Sequence, residues 1–266
     1  LENPMRFAAI SAAALCAVML AATPAGAQQH QMHDMKSMGA NEHAIHMALA
    51  DPARPEADKA RDVARHPAEL LTFMGVKPGD KVADFFMGGG YWTRILAPLV
   101  GKNGKVYAYQ PGEAIARSPD GAQKQDAVVK PYANAVANRD PLASFSFPEK
   151  LDGIITVENW HDLHLARDPA GTGATVAREL YKALKPGGVL LVVDHVGIAG
   201  ATPFAVADTL HRGDAAATKA EIEGAGFKLA ATSPLYANPA DPHTAKVFDP
   251  SIRGKTDQFV YKFVKP

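Results

Sequence analysis

This sequence predicts an α/β fold built on a doubly wound, mostly parallel sheet, and three stretches carry the prediction. The apolar run Val82 to Phe86 breaks at Met87-Gly88-Gly89-Gly90 and resumes with apolar residues at helical spacing from Tyr91 to Leu96. A second short apolar run follows at Lys105 to Tyr109. Strand, tight turn, helix and strand in that order form a β-α-β unit, whose right-handed crossover builds parallel pairing. Leu151 to Val157 and Val189 to Val193 are continuous apolar runs, as strands covered on both faces require. The last run, Gln258 to Phe263, alternates polar and apolar, as a strand with one wetter face does.

Length and composition fit one large globular domain: 266 residues, 47% hydrophobic and 21% charged. Lys+Arg and Asp+Glu both number 28, so no strong field draws the chain to nucleic acid or to an anionic membrane. Residues 1–27 read as a signal peptide with a short upstream extension, Leu1 to Pro4. Met5-Arg6 gives a basic start, Phe7 to Ala22 an apolar centre, and Pro24-Ala25-Gly26-Ala27 a small-residue cleavage site. The apolar run is shorter than the roughly 20 residues a bilayer crossing needs. Cleavage after Ala27 is therefore expected, giving a periplasmic or secreted chain with no stable membrane insertion. The one cysteine, Cys16, lies in this leader, so the mature chain has neither a disulfide nor a thiol nucleophile.

Residues 28–50 are polar and rich in histidine and methionine (His30, Met32, His33, Met35, Met38, His43, His46, Met47). These groups suit copper, but the irregular spacing implies no fixed geometry, and the stretch reads as a flexible linker. The domain is placed at 51–266. It opens with a helix over Asp51 to Phe73, interrupted near His66-Pro67. Asp62, Arg65 and Glu69 are expected on a solvated face, with Ala68, Leu71 and Phe73 packing inward.

Three adjacent glycines after the first strand let a ligand lie against bare peptide, though dinucleotide-binding folds and structural turns share the pattern. The loop resembles motif I of the class I methyltransferases that use S-adenosylmethionine, where an acidic residue precedes three glycines at alternate positions. Asp84, Gly88 and Gly90 match, while Phe86 stands where the first glycine is expected. The resemblance implies a Rossmann-like sheet of seven strands with an antiparallel C-terminal strand, and S-adenosylmethionine as cofactor. It also implies donor contacts from Asp84, Met87, Gly88, Gly89, Gly90, Tyr91 and Asn159. An acidic residue is expected to hold the ribose at the end of the second strand. Gln110 is found there instead, uncharged, with Glu113 placed to reach back.

From Glu113 to about Asn138 the sequence reads as helix with a break at Pro131, which pushes the third strand into Pro141 to Phe147. The fourth strand, Leu151 to Val157, runs into Glu158-Asn159-Trp160-His161-Asp162-Leu163-His164. The letters NWHDLH and GGGY resemble an uncharacterised, often exported bacterial methyltransferase family. In class I methyltransferases this strand end faces the acceptor, which implies catalytic roles for His161 and Asp162. A helix closing at Leu184, then the family-like LKPGG turn, lead to the fifth strand and to Asp194-His195, a second polar pair expected on the same rim. Helices follow around Leu210-His211-Arg212 and Glu221-Ile222. Ala225-Gly226-Phe227 opens the sixth strand, and the last two strands form a hairpin.

The leading expectation is methyl transfer from S-adenosylmethionine to a small-molecule acceptor, with His161 or His195 as general base. Export argues the other way, because this donor is made in the cytoplasm. The alternative is a non-catalytic ligand- or metal-binding protein on a methyltransferase scaffold. A metalloenzyme is a third reading, to be judged by whether His161, His164, Asp194, His195 and His211 converge. No metal ligand set is assigned from spacing alone, since a zinc site wants a third strong ligand at fixed geometry.

Overall fold

A computed structural model describes residues 39–200 and 206–266, so the leader and residues 28–38 lie outside the described residues. Where a linker is expected up to Ala50, Ala40–Leu49 is a helix, α1. Ile45 and Ala48, three apart and so on one face, are buried in the core. The compact unit thus begins at Gly39. The expected helix over 51–73 is three pieces, α2 (Glu56–Lys59), α3 (Asp62–Arg65) and α4 (Pro67–Met74). His66, at φ 38°, separates the last two, because a residue before proline is kept out of the helical region.

Seven strands follow in the order β3-β2-β1-β4-β5-β7-β6. β1 (Lys81–Phe85) pairs in parallel with β2 (Lys105–Tyr109) and β4 (Leu151–Val157), and β4 in turn with β5 (Leu184–His195). β7 (Gln258–Val264) lies antiparallel between β5 and β6 (Lys228–Ser233), so the seven-stranded sheet with an antiparallel C-terminal strand is present. β3 is Ala135–Asn138, parallel to β2, earlier than expected. The helical stretch before it is two short helices, α6 (Gly112–Ala116) and α7 (Gly121–Val129). Pro131 is the boundary of that stretch rather than a break within it. The LKPGG segment is an irregular start to β5: Leu151 faces Leu184, but Gly153 faces Val189.

Helices cover both faces. Helix α5 (Tyr91–Val100) packs with α1 and α4 against one face, around Leu70, Ile95, Val82 and Ile155. Helices α8 (Thr172–Ala183) and α10 (Ala215–Gly224) cover the other around Val176, Leu180, Ile154 and Ile222. Between them lies α9 (Ala207–Leu210). Burial on both faces is why β4 and β5 read as unbroken apolar runs. No helix among the described residues is long and apolar enough to cross a membrane. The strand order reverses at β1, whose neighbours β2 and β4 carry the chain to opposite sides. A crevice opens there at the carboxyl ends of the strands, where ligands bind in such sheets.

Candidate active site

Three segments meet on that rim: the loop after β1, the turn after β4 and the end of β5. Hydrogen bonds stitch them together. Met87 N–H donates to Tyr109 O at 2.9 Å, the Asn159 amide to Phe86 O at 3.3 Å, and His161 N–H to Asp194 Oδ2 at 2.7 Å. A cavity of about 500 Å³ opens beside them, bordered by Phe86, Glu113, Leu142, Asp162 and Arg167, within the range of small-ligand sites.

In the glycine loop, Phe86, Gly88 and Gly90 have φ of 64°, 52° and 84°. The backbone at Phe86 therefore keeps the left-handed form that a glycine would supply, at a strain of about 1–3 kcal/mol for a bulky residue. Its ring meets Phe85 and Tyr109 edge-on and walls the cavity. A Cβ on Gly88 or Gly89 would meet nothing within 4 Å, whereas one on Gly90 would lie 2.4 Å from Val128 of α7. Bare backbone is thus open at Gly88 and Gly89, and Gly90 is required by packing.

Four other expected donor contacts build the loop from behind. Met87 is buried with Ala108 and Val128. Tyr91 is buried and its hydroxyl donates to Asp62 Oδ1 at 2.7 Å. The Asn159 amide is occupied by Val157 O and Phe86 O. Asp84, 2% exposed, accepts from Thr93 Oγ1 at 2.6 Å and so braces the first turn of α5. Burial pushes its carboxyl up to about 6. The folded state then holds this proton between about pH 4 and 6 while an unfolded chain releases it, so stability falls as pH rises through that window. Asp84→Asn is expected to remove this slope, worth up to about 3 kcal/mol, as read from melting temperature against pH.

Gln110 remains at the crevice, with Oε1 accepting from Gly88 N–H at 3.0 Å. Its oxygen is already in use, which leaves the amide nitrogen as the group it can offer. Glu113 does not reach back. Its carboxylate accepts from Leu142 N–H at 3.2 and 3.3 Å and shapes the loop after β3.

A guanidinium cluster, of which Arg65 alone was expected on a solvated face, closes the other side of the loop. Arg54 is buried and bidentate to Asp62 at 2.6 and 2.9 Å. Arg65 pairs with Glu158 at 2.9 Å, and Arg94 bridges Asp58 and Gly89 O. Arg54, Arg61 and Arg65 all lie over the Tyr91 ring, at 5.7, 5.2 and 4.9 Å. Arg61 has the loosest carboxylate partner of them, Asp58 at 3.9 Å, and its side chain is 47% exposed.

At the opposite end His161, 3% exposed, is gripped by one carboxylate. Asp194 takes its backbone N–H and, through Oδ1, its ring Nδ1 at 2.8 Å. Burial alone would lower His161, but Asp194 outweighs it and the pKa is raised. Burial would likewise raise Asp194, and His161 instead holds it below the ordinary carboxylate value. Nδ1 is therefore the protonated ring nitrogen, and Nε2 turns outward to His211 Nδ1 at 3.3 Å. His211 lies 50 positions along the chain, at φ 52°. Burial raises the carboxyl of Asp162, which borders the cavity.

His195, expected as an alternative base, is buried with Nδ1 on Thr256 Oγ1 at 2.8 Å, and burial lowers its pKa. His164 Nε2 meets Glu221 Oε2 at 3.1 Å, which also accepts from Trp160 Nε1. Of the five groups considered for a metalloenzyme, His161 and His211 converge. Asp194 stands behind His161, and His164 and His195 turn elsewhere.

No family model matches the chain. The ubiquinone/menaquinone biosynthesis C-methyltransferase UbiE of Hydrogenovibrio crunogenus is 27% identical over 130 residues, 49% of this chain and 46% of that protein. The match thus spans less than half the length of the curated relative. Among solved structures, a methyltransferase dependent on S-adenosylmethionine from Aquifex aeolicus superposes with a TM-score of 0.56 at 18% identity, covering 79% of this chain and 95% of that one. The N-methyltransferase NodS of Bradyrhizobium japonicum, in complex with S-adenosylhomocysteine, gives 0.51 at 11% identity, covering 86% and 100%. At these identities the likeness carries the fold, which is of the class I methyltransferase type.

Proposed function

We propose that this chain transfers the methyl group of S-adenosylmethionine to a small acceptor. The observation that carries the reading is one rim, at the carboxyl ends of the parallel strands, with a cavity of about 500 Å³ beside it. It has bare glycine backbone and Gln110 at the donor end, guanidinium groups beside it, and the Asp194-oriented His161 at the other. In this reading Gly88, Gly89 and Gln110 hold the donor, and Arg61 meets its carboxylate. Asp84, Met87, Gly90, Tyr91 and Asn159 keep the loop in shape. The acceptor docks in the cavity against Asp162, whose Oδ1 lies 3.5 Å from His161 Nε2, and alignment of the nucleophile with an already activated sulfonium supplies much of the rate.

Calorimetric titration with S-adenosylmethionine and S-adenosylhomocysteine tests this directly. Saturable binding of one molecule per chain is expected, and heat of dilution alone for both would overturn it. A second reading, a binding protein on the same scaffold, draws on Phe86 and Gln110, the two departures at donor-facing positions. Gln110→Glu separates the two. A carboxylate can accept from Gly88 N–H and the ribose together, and charge-assisted bonds contribute about 1.5–3 kcal/mol against roughly 0.5–1.5 for neutral ones. Donor affinity should rise about tenfold, and an unchanged affinity would favour the second reading.

The proposal extends to export with cleavage after Ala27, checked by N-terminal sequencing of the processed chain. It also extends to a small-molecule acceptor rather than nucleic acid, in keeping with the equal counts of basic and acidic residues.

A further inference from the structure

We infer that His161, Asp162 and His211 bind one divalent cation of the zinc type, at the acceptor end of the crevice. The use made of the ion rests on the function proposed above, whereas the site itself stands on its geometry. Three donor atoms face one another. His161 Nε2 lies 3.3 Å from His211 Nδ1 and 3.5 Å from Asp162 Oδ1, and the latter two are 3.8 Å apart. These are the His/Asp atoms among the described residues that gather closely enough to share an ion. The circle through three points at these separations has a radius of about 2.1 Å, inside the range of zinc–nitrogen and zinc–oxygen bonds, roughly 2.0–2.2 Å. Four-coordinate zinc of that bond length has ligand edges of about 3.4 Å. A shift of a few tenths of an ångström would carry the ion out of the ligand plane and leave the fourth position open.

The surroundings match what a metal-binding imidazole needs. His161 donates Nδ1–H to Asp194 Oδ1, which fixes the ring orientation and leaves the Nε2 lone pair directed at His211. A carboxylate behind a ligating histidine is the usual support of such a site. His211 is held from both sides. Its ring packs on Phe248 at 4.9 Å, and the next residue, Arg212, is locked to Asp241, Val196 O and Ala245 O. Two imidazole nitrogens and a carboxylate oxygen are a donor set that suits a divalent cation of the zinc type.

Asp162 also borders the cavity, so an ion held here would lie beside the space proposed for the acceptor. This assigns the acceptor a hydroxyl. A hydroxyl held by the ion would lose its proton to solvent more readily than a free one. Its oxygen pair then forms the new O–C bond as the methyl–sulfur bond breaks, and that electron pair leaves on sulfur as S-adenosylhomocysteine.

The test uses the full chain, stripped with a chelator and titrated with zinc alone in competition with a chromogenic chelator. Wild type should hold a zinc equivalent that His161→Ala and His211→Ala each weaken at least a hundredfold. Asp194→Asn, behind the ligand, should weaken it about 10–100-fold, and His66→Asn, distant and exposed, should leave it unchanged. Cobalt(II) in place of zinc should give the visible bands of a four-coordinate ion, lost in the His161 and His211 variants. The inference fails if wild type retains no zinc at micromolar concentration. It fails too if stoichiometry and affinity survive both substitutions, which would place the metal elsewhere, the histidine-rich residues 28–50 included. Donor binding measured on the same samples keeps the two readings apart. Zinc held without donor affinity would sink the methyltransferase proposal, and donor affinity without zinc would sink this one.

Discussion

His161→Ala is expected to lower methyl transfer at least a hundredfold while donor affinity stays within about twofold, the lower bound of what a positioned proton or Lewis-acid partner contributes. The two effects separate because His161 contacts Asp194, His211 and Asp162, whereas the donor end is proposed to rest on Gly88, Gly89 and Gln110. Truncation also leaves the buried Asp194 without its imidazole, so some loss of stability is expected as well. His161→Gln is the companion variant, since its amide can still donate to Asp194 and keep the turn after β4 in place. Both variants should bind S-adenosylhomocysteine like the parent by calorimetry. Both should release little of it from S-adenosylmethionine in the presence of a panel of phenols and enols. Parental turnover in either would take His161 out of the chemistry, and a loss of donor affinity equal to the loss of rate would mean the crevice had collapsed.

How far the site was readable in the sequence follows from what each residue's position depends on. β1, β4 and β5 were legible because burial on both faces writes itself as an unbroken apolar run. The glycine turn between Phe85 and Tyr91 marked the crevice for the same local reason. Which of its glycines faces a ligand was not legible. The direction of a Cβ depends on φ, and only the structure shows that Gly90 points at Val128 while Gly88 and Gly89 face open space. β3 was misplaced because four residues, Ala135–Asn138, are too few to outweigh the helix-like composition before Pro131. Helix α1 was hidden under polar and histidine residues, its inward face amounting to Ile45 and Ala48.

The acceptor end depends on contacts across the chain. His161 and Asp194 were each marked by standing at a strand end, but the 33 positions between them and the 50 to His211 leave no spacing to read. Arg65 likewise read as helix-surface charge, and nothing in the sequence marked Arg54 or Arg61. Their gathering on Tyr91 follows from the break at His66, which turns this part of the chain toward the loop.

Arg212→Met should be the most destabilising of these substitutions, at about 3–5 kcal/mol. The guanidinium and the Asp241 carboxylate are both fully buried. Every nitrogen of the guanidinium is used: one on both Asp241 Oδ2 and Val196 O at 2.9 Å, one on Asp241 Oδ1 at 3.1 Å, and Nε on Ala245 O at 3.0 Å. Asp241 in turn accepts from the backbone of His243 and Asp257, so the pair ties the end of β5, the His211 turn and the long segment before β7 into one unit. Burial would raise the Asp241 carboxyl, and Arg212 instead keeps it low and ionised. Removing the guanidinium therefore leaves a charge in the interior, and that uncompensated charge is the main source of the loss. For a domain of this size the melting temperature should fall by roughly 6–20 °C. Arg212→Met with Asp241→Leu removes both charges and should recover at least half of the loss, because apolar pairs of similar volume often replace buried ion pairs without penalty. Catalysis and zinc affinity should not return with it, since the carbonyls of Val196 and Ala245 have lost the donor that fixes the backbone beside His211. A single variant that melts with the parent would show that the packing of α9 and β5 holds this turn without the ion pair.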